Sequence, residues 1–200
     1  MIQTKKAEHF KREIELIQDE ELRIVVRDYL NERVGDWFWE VGASSTGKFH
    51  PKFSQGVGGL VRHTKAVVMF VEELLKMSSY AYMEDAYKDY VIAAAIVHDT
   101  AKYGLSEKDT TCYKNHAPLA AKLFESWCLE CDYRPSEILI RAIRSHMGQW
   151  STDRNDKPFT PVDRCLHMAD YMASRSFIDI PGLTEEWENV EKGVDNSSET

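Results

Sequence analysis

Apolar side chains recur at helical spacing along nearly the whole chain, and this periodicity constrains its fold more than any other feature. Apolar residues three and four positions apart form one continuous stripe on a helix. The longest pattern predicts a first helix over about residues 5–31, with the stripe Ile14, Ile17, Leu22, Val25, Val26, Tyr29 and Leu30. No segment shows a convincing alternation of apolar and polar residues, as a half-buried strand would. We therefore predict an all-α fold.

Five further helices follow from the same pattern, at about residues 60–77, 85–98, 116–130, 135–147 and 161–176. The last three have a proline near their start, where its missing N–H removes no helical hydrogen bond. We predict one bundle of six or seven helices over residues 1–183. Residues 184–200 hold six acidic residues and one lysine but few apolar side chains, so we predict a disordered acidic tail.

Charge and hydropathy argue against several classes of partner. The chain has 25 basic and 33 acidic side chains and a formal net charge of −8, whereas proteins that hold duplex nucleic acid usually present a basic surface. No apolar run approaches the roughly 20 residues of a membrane-spanning helix. The N-terminal segment lacks the apolar core of a secretory signal. We expect a cytoplasmic protein that binds neither duplex nucleic acid nor membranes.

Histidine and aspartate residues occur in five predicted helices, mostly at their ends. The set comprises His63 in GGLVRHT, His98 and Asp99 in AAAIVHDTAK, His116 in KNHAPLAA, His146 in AIRSHMGQW and Asp170 in HMADYMASR. Facing helices of a bundle can bring such side chains to one internal site. Taken singly, each residue could instead cap a helix or pack in the core, and this structural interpretation is the alternative.

A mixture of imidazole and carboxylate groups suits divalent iron, manganese, cobalt or zinc better than calcium or magnesium. Two such ions roughly 3.5–4 Å apart can clamp a phosphoryl group, and a metal lowers the pKa of bound water from about 15.7 toward 7. Hydrolysis by metal-activated hydroxide then requires no serine or cysteine nucleophile.

The order H…HD…H…H…D over about residues 42–175 resembles the HD-domain superfamily of metal-dependent phosphohydrolases, in the branch that binds two metals. The context matches as well: GGL precedes the first histidine, a helix of small apolar residues precedes HD, and ADYMASR surrounds the last aspartate. Bacterial diadenosine tetraphosphate hydrolases and an HD-type exoribonuclease family have a similar motif order. The usual HDIGK is HDTAK here, so the glycine of that loop is missing.

The resemblance implies a site with two divalent ions. It assigns His63, His98, Asp99 and Asp170 to the first metal, and His116 and His146 to the second, with Asp99 as the bridging, catalytic ligand. It also implies that Lys102, three residues after Asp99, contacts a substrate phosphate.

Other residues near these motifs are candidates for substrate binding. Lys48, Lys52, Arg62 and Lys65 form a basic cluster in the sequence around His63, and we predict that it receives substrate phosphates. His50 lies in the same glycine-rich region. Trp150 follows His146 and is a candidate for stacking on a nucleobase. The alternative for each is an ordinary surface or packing role.

We therefore predict hydrolysis of a phosphoester or phosphoanhydride bond, in a small nucleotide. Two alternatives remain: a 3′-5′ exoribonuclease of the HD type, and a non-catalytic module that binds a nucleotide for regulation. The complete ligand set favours an enzyme over a binding module, and the acidic charge disfavours a polymeric substrate.

Overall fold

Helices form all the regular secondary structure of residues 6–44, 50–104 and 112–192, which are the residues that the computed structural model describes. The all-α prediction is confirmed. The described α-helices are α1 Lys11–Glu15, α2 Glu20–Glu32, α3 Trp37–Glu40, α4 Gly59–Lys76, α5 Asp85–Val97, α6 His116–Glu130, α7 Glu137–Ser145, α8 Pro161–Ala173 and α9 Leu183–Glu191. Short 3-10 helices occupy Lys6–Phe10, Lys52–Ser54, Gly148–Trp150 and Arg154–Asp156. Within these ranges, no helix has the length and apolar character needed to cross a lipid bilayer.

The core lies where α4, α5, α7 and α8 pack against one another, with α6 against α7. The α5 segment Ala93–Ala95 is fully buried, and its small side chains let the neighbouring helices approach closely. The α4 valines Val67, Val68 and Val71 are also fully buried. The apolar stripes of the sequence therefore face the interior, as helical periodicity predicts.

The N-terminal segment is not the single helix predicted over residues 5–31. It consists of the 3-10 helix Lys6–Phe10, α1 and α2, with a break after α1. Asp19 caps α2 by accepting the Leu22 N–H at 3.0 Å. The buried Asp89 carboxylate accepts the N–H groups of Gln18 and Asp19 at 3.0 and 2.8 Å. The apolar periodicity of the sequence did not reveal this break, because the buried apolar stripe continues on α2.

The acidic segment after residue 183 is ordered at its start, contrary to the predicted tail. Residues Leu183–Glu191 form α9, because Trp187 supplies a buried anchor that acidic composition alone does not reveal. Its indole stacks on the buried His9 ring, with centroids 4.4 Å apart. Lys65 of α4 pairs with Glu186 at 2.8 Å and with Glu13 at 2.9 Å. Residues 193–200 of the predicted tail lie outside the described part of the chain, and the single-domain division stays a prediction.

Candidate metal centre

Helix ends bring the six predicted metal ligands to one place. His63 lies in the first turns of α4, His98 and Asp99 directly follow α5, His116 begins α6, His146 follows α7, and Asp170 lies in the last turn of α8. Five of the six side chains are at most 1% exposed, and that of Asp170 is 15% exposed. Five elements distant in sequence thus contribute to one buried polar cluster.

The two glycines before His63 let α4 begin in a crowded position. Gly58 has a φ of +68°, and a Cβ on it would lie 2.2 Å from the Trp187 ring. A Cβ on Gly59 would lie 2.4 Å from the carbonyl oxygen of Ser54. Because the backbone and Trp187 approach so closely, the GG pair is required for α4 to start where it places His63 in the cluster.

The Asp99 carboxylate lies at the centre of the cluster and divides it into two halves. Its Oδ2 lies 3.4 Å from His98 Nε2 and 3.7 Å from His63 Nε2. Its Oδ1 lies 3.2 Å from His116 Nε2 and 3.6 Å from His146 Nε2. Each carboxylate oxygen therefore faces one pair of imidazoles.

Asp170 extends the half that contains His63 and His98. Its Oδ1 lies 3.1 Å from His63 Nε2 and 3.9 Å from His98 Nε2. This half therefore has two imidazoles and two carboxylates, as the resemblance implied for the first metal. The other half has His116 and His146, whose Nε2 atoms are 3.2 Å apart, together with the Asp99 Oδ1.

Backbone carbonyls hold three of the imidazoles in place. The Nδ1 atoms of His98, His116 and His146 lie 2.7–2.8 Å from the carbonyl oxygens of Ala95, Tyr113 and Ile143, each three residues earlier. A neutral imidazole that donates its Nδ1–H presents a lone pair at Nε2. Such outer contacts fix the ring orientation of metal-binding histidines, and here they direct Nε2 toward Asp99.

Three buried atoms of the cluster make no hydrogen bond among the described residues, namely His63 Nδ1, His98 Nε2 and Asp99 Oδ1. The last two face the interior of the cluster, and their chemistry fits a bound cation. Leaving such polar atoms unsatisfied in the interior is costly, whereas a divalent ion would accept electron pairs from both. Two triplets have ligand atoms within 4.8 Å of one another, namely His63, His98 and Asp170, and His98, Asp99 and His146.

The charges of the cluster favour cation binding. Burial opposes ionisation of Asp99, but Lys102 and His98 hold its pKa well below the usual range. Burial likewise opposes ionisation of Asp170, whose pKa is lowered by its hydrogen bond with His63 and by the charge of His98. Both carboxylates are therefore ionised at neutral pH. Burial lowers the pKa of His146 to about 4, which keeps its imidazole neutral.

A proton competes with a metal at His116. Although burial opposes the charge, the Asp99 carboxylate, whose Oδ1 lies 3.2 Å from His116 Nε2, raises the pKa of His116 to about 9. A cation in this half of the cluster would take over the role of that proton, because metal binding requires the deprotonated ligand.

The predicted phosphate-binding cations differ in where the structure places them. The ammonium group of Lys102 lies 2.6 Å from Asp99 Oδ2, at the centre of the cluster. The buried Arg62 guanidinium instead donates to the carbonyl oxygens of Phe53 and Gln55. Lys65 is buried in its ion pairs with Glu13 and Glu186. The prediction that Arg62 and Lys65 belong to a phosphate-binding cluster is therefore wrong, because internal partners occupy both side chains. Lys48 lies outside the described residues.

His50 and Trp150 both lie beside the cluster. The His50 ring packs edge-on against His63 with centroids 5.6 Å apart, and burial lowers its pKa to about 3. Its buried Nδ1 makes no hydrogen bond among the described residues. Trp150 is 47% exposed and stacks on Tyr171, the residue after Asp170.

His167 supports the cluster, although no sequence motif assigns it a role. Its Nδ1 lies 2.7 Å from the carbonyl oxygen of His146, and its ring occupies the space that a Cβ on Gly148 would fill. His167 therefore supports the turn that carries His146, rather than serving only as packing. Its spacing of three residues from Asp170 was the available signal, because residues three apart share a helix face.

Comparison with known protein families agrees with this geometry. A family model described as HD domain matches residues 60–175, which is more than half of the chain. The chain belongs to the HD domain family, within the superfamily of metal-dependent phosphohydrolases, and the resemblance in its motifs is confirmed. Searches of curated proteins and of solved structures gave no significant match.

Proposed function

We propose that the protein hydrolyses a phosphoester or phosphoanhydride bond of a small nucleotide, with two divalent metal ions. Its family is one of metal-dependent phosphohydrolases, and its His and Asp groups are able to hold metal. The observation that carries the proposal is the position of Asp99, whose two oxygens each face a separate pair of imidazoles. A bridging ligand of a two-metal site has this arrangement.

The residues have distinct roles in this proposal. His63, His98, Asp99 and Asp170 hold one ion, and His116, His146 and Asp99 hold the other. When bound, such ions neutralise phosphate charge and generate a nucleophile from water near neutral pH. The metals are iron, manganese, cobalt or zinc by the chemistry of the donors.

Lys102 has two tasks in the proposal. Its ion pair with Asp99 keeps the central carboxylate ionised and fixes its orientation. An ammonium group has three donors, so after one hydrogen bond to Asp99 Oδ2 it retains donors for a phosphate oxygen. Lys102 thereby orients the substrate at the cluster.

The charge distribution supports a small substrate over a polymer. Binding a nucleic acid by counterion release requires several cations along a track. The chain is acidic overall, and Arg62 and Lys65 have internal partners. An exoribonuclease and a nucleotide-binding module without turnover remain the alternatives, and the complete ligand set supports catalysis. That the protein is cytoplasmic and binds neither duplex nucleic acid nor membranes stays a prediction.

A substrate panel tests the proposal. We expect manganese-loaded protein to hydrolyse mononucleotides or dinucleotides faster than oligoribonucleotides or duplex DNA under the same metal, because the acidic chain repels polymeric phosphates. Asp170→Asn protein, purified identically, controls for contaminating phosphatases. Cleavage of oligoribonucleotides without turnover of any small nucleotide would establish the exoribonuclease alternative. Nucleotide binding without hydrolysis, under every metal tried, would establish the regulatory module.

A further inference from the structure

A cavity of about 750 Å³ adjoins the metal centre on the side of His116. Its walls come from the start of α6 and from the segment that follows α7, and they include Lys114, Asn115, His116, Arg144 and Trp150. Its volume falls within the range of roughly 300–1,000 Å³ typical of small-molecule sites. Because His116 belongs both to the wall and to the metal cluster, a ligand in this cavity lies directly beside the proposed metals.

Trp150 is held in a defined position although it is 47% exposed. One face of the indole is covered by Tyr171, with ring centroids 5.8 Å apart and planes 15° apart. The guanidinium of Arg175 covers Tyr171 in turn, at 4.3 Å. Since Trp150 also lines the cavity, its uncovered face is available to a planar ligand.

The position of Trp150 is built by the same turn that places His146. Gly148 has a φ of +55° and begins the 3-10 helix that ends at Trp150. The His167 ring fills the space beside Gly148, and its Nδ1 lies 2.7 Å from the carbonyl oxygen of His146. The ring also contacts Trp150 edge-on, with ring centroids 6.1 Å apart. The aromatic surface and the metal ligand therefore have a fixed separation.

The polar residues of the cavity suit a ligand with a hydrogen-bonding edge. Lys114 and Asn115 are exposed at the α6 side, and Thr152 is exposed on the opposite side. Arg144 forms an ion pair with the buried Asp156, which fixes its guanidinium at the wall. The wall also carries Asp153 and Asp156, so its charges balance those of Lys114 and Arg144. The aromatic surface, the amide and the hydroxyl are complementary to a nucleobase, and the adjoining metal centre is left to receive the negative charge of the phosphate.

We propose that this cavity binds the nucleobase of the substrate, stacked on Trp150, while the phosphate lies at the metal centre. The inference rests on the proposed function, because it assumes that the metal cluster receives the phosphate. Stacking uses the π-face that every base has, so Trp150 gives affinity for nucleotides as a class. Trp150 is thus a residue that distinguishes nucleotides from phosphates without a base.

The test compares ligands with and without a base on metal-loaded protein. Calorimetry measures the Kd of nucleoside 5′-phosphonates, which contain no hydrolysable phosphoester bond, and of ribose 5-phosphate. We expect Trp150→Ala to weaken phosphonate binding roughly 5- to 150-fold, the range for loss of one stacking contact, and to leave ribose 5-phosphate unchanged. Trp150→Phe should recover most of the affinity. Phe177→Ala removes an aromatic side chain that is 81% exposed and lies outside the cavity, and serves as the matched control.

Three results would overturn the inference. They are unchanged phosphonate binding by Trp150→Ala, an equal loss for both ligands, and a wild-type protein that binds nucleoside phosphonates no better than ribose 5-phosphate. Thermal melting of each variant separates lost stacking from lost folding. If the proposed hydrolase function is wrong but the cavity does bind a nucleobase, the result differs. Wild-type protein then hydrolyses no phosphate ester, while its affinity for nucleoside phosphonates still depends on Trp150.

Discussion

Asp99→Ala is expected to lower phosphohydrolase activity by at least about 10²- to 10³-fold, the loss that follows removal of one preorganised oxyanion-hole donor. Asp99 is the only residue of the cluster that faces both pairs of imidazoles, so its loss should prevent either ion from binding normally. Because the variant removes the partner of Lys102, whose side chain is 12% exposed, we also expect a lower free energy of unfolding, by at most about 3–5 kcal/mol, the loss on breaking a fully buried ion pair. Steady-state kinetics, metal analysis and circular dichroism measure these three effects.

Two further variants separate the site from stability. Asp99→Asn keeps the side-chain volume and should retain the helical circular dichroism spectrum while losing activity. Asp89→Asn removes a buried carboxylate that accepts backbone N–H groups far from the metal cluster. It should lower the melting temperature yet retain metal and turnover. Wild-type activity in either Asp99 variant would refute the assigned role.

His116→Ala and His146→Ala are each expected to reduce the metal content from two ions to about one per chain. Their Nε2 atoms share the Asp99 Oδ1 half of the cluster and are 3.2 Å apart, so neither alone completes that half. The ion beside His63, His98 and Asp170 should remain. The protein is reconstituted with manganese and freed of unbound metal by gel filtration. Elemental analysis then measures the number of ions per chain.

A histidine outside the cluster gives the matched control. His9 is buried and stacks on Trp187. His9→Gln should therefore lower the free energy of unfolding but leave the metal content at the wild-type level. If His116→Ala and His146→Ala both retain two ions, the two-metal interpretation is wrong and a single-metal site replaces it.

The meeting of the six predicted ligands in one cluster could be foreseen because each of them occurs in a short motif at or near a helix end. Helix periodicity placed these ends within a few residues: the helix predicted over 85–98 is α5, Asp85–Val97, with His98 directly after it. The pairing of Asp99 with Lys102 also follows from the sequence, since residues three apart near a helix end lie on the same side. Local patterns therefore locate the predicted ligands, although the distances between them depend on packing.

Helix geometry also explains why the predicted basic cluster around His63 does not form. Arg62 and Lys65 lie one and two positions from His63 on α4, and such neighbours do not share a helix face. Closeness in sequence therefore did not bring their side chains to the metal cluster. Their actual partners, the Phe53 and Gln55 carbonyls and the carboxylates of Glu13 and Glu186, lie in other parts of the chain.

Long-range contacts also account for α9 and for the GG pair. The acidic composition after residue 183 indicated disorder, but Trp187 packs on His9 and above Gly58, more than 120 residues away in sequence. Composition describes the average of a segment, whereas one buried aromatic residue can fix its helix against the core. No local motif marks His9, and the GGL motif at Gly58 does not reveal that Trp187 packs above it.

Metal content distinguishes a two-metal centre from a His and Asp cluster with a purely structural role. Protein purified without chelator, and protein reconstituted with manganese, iron, cobalt or zinc, should contain up to two ions per chain by elemental analysis, because five further His and Asp side chains surround Asp99 in two halves. Protein that contains no metal after purification, and takes up none of these four ions on reconstitution, would show that the His and Asp cluster is not a metal centre.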